Sequence, residues 1–197
     1  VNDVTIELLK GESLGVVGES GSGKTVLSRA TMGLLPGTAT RTGTITYNGK
    51  VISELPKDEV RELWGTGMAM IFQDPMTALN PVRRIGSQLT ESLTVRLGMD
   101  KKAAKLKAIE LLKRVRIPDP ESMLRKFPYQ LSGGMRQRIM IAIAVSCEPE
   151  LLFADEPTTA LDVTVQAQVL DLITELRKES NMAMILVTHD LGVVAGH

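Results

Sequence analysis

Short apolar runs alternate with longer amphipathic stretches along most of the chain. Four runs have the length expected of a buried strand, at residues 13–17, 67–72, 151–154 and 182–187. Helices are predicted between them, one over residues 24–35 and closed by Pro36-Gly37, and one with an apolar face made of Val165, Val169, Leu172, Ile173 and Leu176. Alternating strands and helices indicate an α/β core built on a parallel sheet.

Two segments near the N-terminus show a different pattern. Residues 4–8 and 43–47 alternate apolar and polar positions, as half-buried strands do. Asn48-Gly49 directly follows the second segment and favours a tight hairpin turn, because both residue types tolerate left-handed backbone angles. The pattern therefore predicts a small antiparallel β subdomain in this part of the chain.

The middle of the chain has helical patterns and no strand pattern from residue 83 to residue 125. Asp100 is expected to cap a helix rich in Lys and Arg, whose charges suit a solvated face. Asp119-Pro120 suits the start of a short helix, and a longer helix is predicted over 134–147. We therefore predict one domain, in which residues 1–82 and 148–197 form the core and residues 83–147 form an inserted helical subdomain.

Composition narrows the class of protein. Hydrophobic residues make up 43% of the 197 residues, which is ordinary for a globular protein. The 23 Lys and Arg balance the 23 Asp and Glu, which argues against a dedicated nucleic-acid-binding protein. Cys147 is the single cysteine, so no internal disulfide can form, and we expect a small buried apolar side chain. No apolar stretch has the length of a membrane span and the chain starts without a signal peptide, so a membrane role is expected to come through a partner.

Residues 18–25, Gly-Glu-Ser-Gly-Ser-Gly-Lys-Thr, match the phosphate-binding pattern G-x-x-x-x-G-K-[ST]. Glycines let successive backbone N–H groups point inward as an anion nest, and the following helix adds the positive end of its dipole. Lys24 is expected to reach the β- and γ-phosphates, and Thr25 to bind Mg²⁺. The predicted nucleotide-binding residues of this loop are Gly18, Ser20, Gly21, Ser22, Gly23, Lys24 and Thr25.

The apolar strand at 151–154 is followed by two carboxylates, Asp155 and Glu156. A carboxylate at the end of a buried strand needs a compensating charge, and a magnesium ion would supply one. Asp155 is therefore expected to hold Mg²⁺, directly or through water. Glu156 is expected to polarise or deprotonate the attacking water. This pattern alone is weak evidence for a nucleotide site, and it becomes strong evidence when the chain also has a phosphate-binding loop.

Residues 131–138, Leu-Ser-Gly-Gly-Met-Arg-Gln-Arg, allow two interpretations. Ser132 is a good N-cap, so the segment can be a capped helix whose two glycines only turn the chain. Alternatively it is a second anion-binding helix end, with the Ser132 hydroxyl as an additional donor. Local physical chemistry leaves these two interpretations about even.

Taken together, these motifs resemble those of ABC (ATP-binding cassette) ATPases. Residues 131–138 look like the family's signature motif, and residues 18–25 and 151–156 look like its Walker A and Walker B motifs. Gln73 is similar to the Q-loop glutamine, Ala160-Leu161-Asp162 to the D-loop, and His189 to the switch histidine. The resemblance implies a P-loop NTPase (RecA-like) core of the α/β class, with a small N-terminal antiparallel β subdomain and an inserted α-helical subdomain.

The resemblance also implies a role for each matching residue. Gln73 would bind Mg²⁺ or the attacking water, and His189 would contact the γ-phosphate and position that water. Ser132, Gly133 and Gly134 would grip the γ-phosphate bound on the opposite subunit, and Asp162 would help to align the dimer interface. The implied cofactors are ATP and Mg²⁺, with Glu156, His189 and Gln73 as catalytic residues and Thr25, Gln73 and Asp155 at the metal.

Residues 70–75, 78–81 and 155–168 more closely resemble the ATPase subunits of bacterial importers for dipeptides, oligopeptides and nickel. This implies an ATPase that energises solute uptake through membrane permease subunits and lies at the cytoplasmic face of the membrane. Its other implied partners are a second ATP-binding subunit, identical or a sister, and indirectly an extracytoplasmic solute-binding protein. No nucleic acid is expected as a partner.

Two other functions are known for proteins with such motifs. A soluble ABC ATPase of DNA repair or translation usually carries two cassettes or a long coiled-coil insert, whereas the insert here lacks heptads. A regulatory module without turnover predicts a damaged Glu156 or His189, and both residues are present. The residues do not identify the transported solute, because membrane and solute-binding subunits select it.

The two ends of the chain depart from the family pattern. The chain starts at Val1, where the first predicted strand begins, and the aromatic residue that stacks on adenine in the family is missing upstream. Tyr47 and Tyr129 are not placed for that role. Family members continue beyond the equivalent of His197 with at least two more strands, so we expect this chain to be a fragment.

Overall fold

The computed structural model of the protein describes residues 1–159, 161–190 and 192. Ala160, the first residue of the predicted D-loop, lies outside the described residues. The described strands are β1 (Ser13–Val17), β2 (Thr46–Tyr47), β3 (Lys50–Val51), β4 (Met68–Ile71), β5 (Leu151–Asp155) and β6 (Ala183–Thr188). The described helices are α1 (Lys24–Thr31), α2 (Lys57–Glu62), α3 (Pro75–Ala78), α4 (Ile85–Leu97), α5 (Lys101–Arg114), α6 (Pro120–Met123), a 3₁₀ turn (Pro128–Gln130), α7 (Gly133–Ala144) and α8 (Val163–Ser180).

The central sheet consists of β1, β4, β5 and β6, in the spatial order β1-β6-β5-β4. Every neighbouring pair in it is parallel. Strand β4 is buried at each position, and β5 and β6 are buried at all but one position each. Strands covered on both faces read as continuous apolar runs, which is how they appear in the sequence. The predicted α/β core with a parallel sheet is confirmed.

Strands β2 and β3 form a separate two-stranded antiparallel sheet. The turn between them has left-handed backbone angles at Asn48 (φ 47°) and Gly49 (φ 76°), as predicted for this pair. The Tyr47 hydroxyl and the Asn48 amide each donate a hydrogen bond to Glu150 Oε2, at 2.7 and 2.6 Å. Burial and the bond to Glu150 raise the pKa of Tyr47, and the two donors lower the pKa of Glu150. The hairpin is thereby fastened beside the start of β5.

The prediction of a strand at residues 4–8 is wrong. These residues form no strand, and all of them except the half-buried Leu8 are exposed. A strand is stable only where a neighbouring strand takes up its backbone hydrogen bonds, and within the described residues no strand pairs with this segment. Alternation of apolar and polar positions is therefore not sufficient for a strand.

Two predicted helices end earlier than expected. Helix α1 ends at Thr31 instead of residue 35, because Gly33 takes a left-handed conformation (φ 69°). The Gly33 N–H then bonds to Ala30 O and the Leu34 N–H to Arg29 O, which is the Schellman arrangement that terminates helices. Helix α7 likewise ends at Ala144, three residues before the predicted end.

The segment from residue 83 to residue 125 contains helices α4, α5 and α6 and no strand, as predicted. The Asp100 carboxylate caps α5 by accepting hydrogen bonds from the backbone N–H groups of Lys102 and Ala103. Asp119 caps α6 in the same way. The division into a core and a helical subdomain stays a prediction, since one apolar cluster contains both sheet and helix residues: Ile71, Leu152, Leu186, Leu89, Leu112 and Ile141.

Cys147 lies just after α7 with 5% of its surface exposed, as predicted. Burial raises the pKa of its thiol. Among the described helices, none combines the length and the apolar character needed to cross a membrane.

Candidate nucleotide-binding site

The carboxyl ends of the four parallel strands lie at one edge of the sheet, and predicted site residues follow each strand. Strand β1 runs directly into Gly18, and β6 runs into His189. Strand β5 ends at Asp155, and Gln73 comes two residues after β4. Ligands of open α/β sheets bind at this edge. The sheet topology therefore places motifs from both ends of the chain at the same edge of the sheet.

The loop at residues 18–23 curves from β1 into α1. The Ser22 N–H bonds to Glu19 O at 3.2 Å, and Gly23 has a left-handed backbone (φ 94°) that turns the chain into the helix. Lys24 is 8% exposed, and its Nζ donates to Gly18 O at 2.7 Å and to Glu19 O at 2.8 Å. The ammonium group is thus held against the loop backbone, where a phosphate bound by the loop would meet it.

Helix α1 starts without a capping side chain, because its N-cap residue is Gly23. The first N–H groups of a helix have no partner inside the helix, and they carry the positive end of the dipole. In α5, α7 and α8 a side chain caps this end. An uncapped helix start such as that of α1 suits an anion.

Asp155 is 1% exposed, and its Oδ1 accepts a hydrogen bond of 2.9 Å from the Thr25 hydroxyl. Burial raises the pKa of Asp155, while the Thr25 hydroxyl and the charge of Arg29 act in the opposite direction. The nearby Glu156 carboxylate raises it further. A buried carboxylate in this position favours a cation, and the Thr25 hydroxyl stands next to it.

Glu156 lies at the centre of the cluster, with its side chain 14% exposed. Its carboxylate accepts hydrogen bonds of 3.0 Å from Gln73 Nε2 and from the Thr159 hydroxyl. Lys24 Nζ lies 3.9 Å from Oε1, and His189 Nδ1 lies 3.5 Å from Oε2. The backbone of Glu156 is left-handed (φ 44°), an uncommon and strained conformation for a residue with a side chain.

The structure therefore brings together the predicted residues Lys24, Thr25, Gln73, Asp155, Glu156 and His189. Gln73 and His189 are the exposed members, with 62% of the His189 side chain accessible. Exposed donors next to a half-buried carboxylate can contact a ligand from the solvent side. The catalytic and metal-binding roles of these residues stay predictions.

In the part of the chain that the structure describes, the side chains of the predicted signature and D-loop residues Ser132 and Asp162 have local hydrogen-bond partners. The Ser132 hydroxyl caps α7 by accepting from the Met135 N–H at 3.3 Å, and Asp162 caps α8 by accepting from the Val165 N–H at 3.0 Å. The starts of these two helices touch, since a Cβ added to Gly134 would lie 3.0 Å from Val165 Cγ1. In the described part of the chain, no hydrogen bond or ion pair joins Ser132, Gly133, Gly134 or Asp162 to the loop at 18–23.

The family model described as ABC transporter matches residues 1–159. This range is more than half of the chain and includes the phosphate-binding loop, Gln73, Ser132, Asp155 and Glu156. The chain belongs to the ABC transporter family.

Relatives within the ABC transporter family are similar over the whole chain. The oligopeptide transport ATP-binding protein OppD of Salmonella typhimurium is 52% identical over 196 residues, which is 100% of this chain and 58% of OppD. The dipeptide transport ATP-binding protein DppD of Bacillus subtilis is 51% identical over 197 residues, which is 99% of this chain and 59% of DppD. The chain thus spans less than two thirds of the length of these relatives.

The fold is also that of solved ABC cassettes. The dimeric structure of a bacterial ABC transporter cassette has a TM-score of 0.85 and 27% identity, covering 98% of this chain and 81% of that one. A dimeric cassette in a post-hydrolysis state, bound to ADP and Pi, has the same TM-score and identity, covering 97% and 80%. The predicted fold class is confirmed.

Sequence reasoning missed two side chains of this ABC transporter site. Thr159 donates to Glu156, and the amide of the buried Gln137 in α7 donates to the carbonyl of Pro157, the next residue along. The sequence contains a signal that could have indicated a buried polar contact at Gln137, since this polar residue is followed in the same helix by the buried Ile139, Met140 and Ile141. Thr159 left none, because a hydroxyl in a loop is ordinary.

Proposed function

We propose that the chain is the ATP-hydrolysing part of an ABC importer subunit that energises peptide uptake, with nickel as the alternative cargo. The proposal of hydrolysis is carried by one observation. A single carboxylate, Glu156, lies between Lys24 of the phosphate-binding loop and the exposed Gln73 and His189. The proposal of peptide uptake rests on relatives that are 50 to 52% identical, which are oligopeptide and dipeptide transport ATP-binding proteins.

ATP would bind with its phosphates in the loop at residues 18–23. The uncapped start of α1 offers N–H donors to the phosphates, and Lys24 is already held at the loop backbone by its bonds to Gly18 and Glu19. Charge-assisted hydrogen bonds of this kind are about twice as strong as neutral ones. The loop thus supplies both the shape and the charge that a triphosphate needs.

The donors next to the loop fit Mg²⁺. Thr25 Oγ1 and Asp155 Oδ1 lie 2.9 Å apart, and both are oxygen atoms, the ligand type that Mg²⁺ prefers. Protein sites for Mg²⁺ in nucleotide enzymes commonly use one or two such side chains and complete the shell with water and phosphate oxygens. Thr25 and Asp155 would hold the ion, Gln73 would reach it from the exposed side, and the ion would neutralise phosphate charge.

Glu156 would act on the attacking water. Its carboxylate is fixed by Gln73 and Thr159, so it can accept a proton from a water held above the phosphates without first changing conformation. His189 lies 3.5 Å from the same carboxylate with its side chain mostly exposed, so it can reach toward a γ-phosphate and help to place the water. Hydrolysis would then proceed by positioning and charge stabilisation, as in other phosphoryl transfers.

Two such cassettes would complete each other's sites. Ser132, Gly133 and Asp162 lie at helix starts, and within the described residues no hydrogen bond or ion pair joins them to their own phosphate-binding loop. We therefore expect them to be available to a nucleotide on a second subunit. A two-fold dimer would repeat this contact at both sites. The second subunit is the same protein or a sister ATPase. Integral permease subunits would hold the pair at the cytoplasmic face of the membrane and receive solute from an extracytoplasmic binding protein.

The test is transport in a reconstituted system. The longest protein that the gene encodes is purified with the permease proteins encoded beside it and placed in vesicles with the solute-binding protein. We expect ATP-dependent uptake of labelled di- or oligopeptides, and no uptake with Glu156→Gln. Uptake of Ni²⁺ without uptake of peptides would show that nickel, and not peptide, is the cargo. ATP hydrolysis by a protein that does not associate with any permease would favour a soluble ABC ATPase.

A further inference from the structure

The side-chain amide of Gln137 is buried in the fold, with 1% of the residue exposed. Gln137 stands in α7, one helical turn after Gly133, so it is on the same helix as the signature residues. Its Nε2 donates a hydrogen bond to the backbone carbonyl of Pro157. A glutamine is rarely buried this completely unless its amide has a hydrogen-bond partner. The bond to Pro157 therefore explains why a glutamine is tolerated at this position.

The acceptor of this bond belongs to the segment that carries Glu156. Pro157 is the next residue, it is buried, and its carbonyl would be left without this donor if the amide were removed. Glu156 itself has a left-handed backbone (φ 44°), a conformation that persists only when the surroundings impose it. The direction of the Glu156 carboxylate therefore depends on how its two flanking residues are held.

The segment after Glu156 is held from two helices. From α7, Gln137 bonds to Pro157, and from α8 the amide of Gln166 donates to Thr158 O at 3.3 Å and Leu161 O at 3.0 Å. Gln137 is the contact nearer to Glu156. It also provides a direct hydrogen bond between α7, the helix that Ser132 caps, and the backbone next to the carboxylate.

We propose that Gln137 is a positioning residue that holds Glu156 in its reactive orientation and couples it to the start of α7. This inference rests on the proposed ATP hydrolysis. A displacement of α7 when its start meets a phosphate would reach Glu156 through a single side chain. A misplacement of about 1 Å at a catalytic group can cost on the order of 100-fold in rate, so a small shift at Pro157 is sufficient to matter.

The test replaces Gln137 by Met, which has a similar length and flexibility but no donor. We expect the rate of ATP hydrolysis under single-turnover conditions to fall by about 10- to 100-fold. ATP affinity, measured by calorimetry on the longest protein that the gene encodes, should change less than about threefold, because no hydrogen bond within the described residues joins the Gln137 side chain to the phosphate-binding loop. Ser146→Ala is the control, since Ser146 is as deeply buried as Gln137 and its hydroxyl bonds within the helix end, to Ile143 O. This control should keep the wild-type rate.

A double variant separates positioning from general damage. If Gln137 acts through Glu156, then Glu156→Gln combined with Gln137→Met should be no slower than Glu156→Gln alone, within about twofold. A further fall of tenfold or more, or an unchanged rate in Gln137→Met, would overturn the proposal. If Gln137→Met does not fold, the same cycle with Gln137→Asn, whose amide is one methylene shorter, has the same two outcomes. A wild-type protein without hydrolysis contradicts the proposed function instead, so the two failures are distinguishable.

Discussion

The two regions that we propose to contact the phosphates are organised in different ways. At the phosphate-binding loop, the side chains of Lys24, Thr25, Gln73, Asp155 and Glu156 are bonded to the loop or to one another. At the start of α7, the exposed Ser132 caps its own helix, and Asp162 does the same at α8. The first region is assembled by side-chain bonds that form when the chain folds. The second consists of two helix starts, each capped by its own side chain.

The residues that form the two sites also differ in burial and in backbone strain. Asp155 is almost completely buried with a raised pKa, and Glu156 has a left-handed backbone. Such features destabilise a fold and are expected where a ligand compensates for them. Ser132 and Asp162 have ordinary helix-cap geometry, which stabilises the fold whether or not a ligand is present. Five predictions test this contrast.

The largest effect is expected for Glu156→Gln. The amide fills the same space but cannot accept a proton from water, so turnover should fall by roughly 100- to 10,000-fold. ATP binding should remain, and the variant should accumulate as an ATP-bound dimer. Glu179→Gln is the control, because Glu179 is an exposed partner of Arg114 on the surface. Wild-type turnover in Glu156→Gln would remove this residue from catalysis.

Lys24→Ala should weaken nucleotide binding itself. The loss of a charge-assisted contact to phosphate is worth about 1.5–3 kcal/mol, or roughly 10- to 100-fold in affinity. Calorimetry with ATP and with ADP measures the change, and Lys101→Ala, an exposed residue at the start of α5, is the control. Equal affinity of Lys24→Ala and wild type would contradict the assignment of the phosphate-binding loop.

Mixing two inactive proteins tests whether the two regions act on one nucleotide across a dimer. Lys24→Ala and Ser132→Arg should each be nearly inactive alone. In a mixed dimer one site carries both changes and the other carries neither, so random pairing should restore about a quarter of wild-type activity when the sites act independently. The unmixed variants are the controls. If no activity returns on mixing, cysteines are introduced at Ser22 and Ser132 and crosslinked. Crosslinks within one chain would exclude a shared site.

The smallest effects concern stability, and they have opposite signs in the two regions. Without nucleotide and divalent cations, Asp155→Asn should raise Tm at neutral pH, because it removes a buried charge and keeps the acceptor for Thr25. Ser132→Ala should lower Tm by about 2–4 °C, the equivalent of about 1 kcal/mol for a lost N-cap in a domain of this size. Calorimetric scans of both variants beside wild type measure this. Destabilisation by both changes would contradict the contrast.

The direction of the pH dependence follows from the raised pKa of Asp155. The folded protein holds this proton more tightly than the unfolded chain, so the contribution of Asp155 to stability is greatest below its ordinary pKa. It is lost as the pH rises through the raised folded value. The stabilising effect of Asp155→Asn should therefore be largest at neutral pH and should shrink as the pH is lowered toward 4.

The sequence was sufficient for the parts of the site that depend on local pattern. The glycine spacing of residues 18–25 and the apolar run before Asp155 predicted a loop, a helix start and a strand end, which the structure contains. These three features depend on few distant contacts. Gln73 and His189 were instead predicted from the resemblance to ABC ATPases.

Two of the features that sequence reasoning missed depend on tertiary packing. The bond from Gln137 to Pro157 forms only because α7 docks beside the end of β5, and helix periodicity says nothing about that partner. The wrong strand at residues 4–8 has the same origin, since a strand needs a partner that the alternation does not specify. Helix α1 ended early because the left-handed Gly33 outweighed the apolar pattern that continued after it.

The single buried cysteine makes the molecule well suited to chemical labelling. Thiol reagents attack the thiolate, and Cys147 is both shielded from solvent and shifted toward the protonated form. Within these 197 residues, an introduced surface cysteine would therefore be modified far faster than the native one. Spectroscopic probes could be attached at the start of α7 and beside the phosphate-binding loop without first removing Cys147, so that the separation of the two regions could be followed through a cycle of nucleotide binding and hydrolysis.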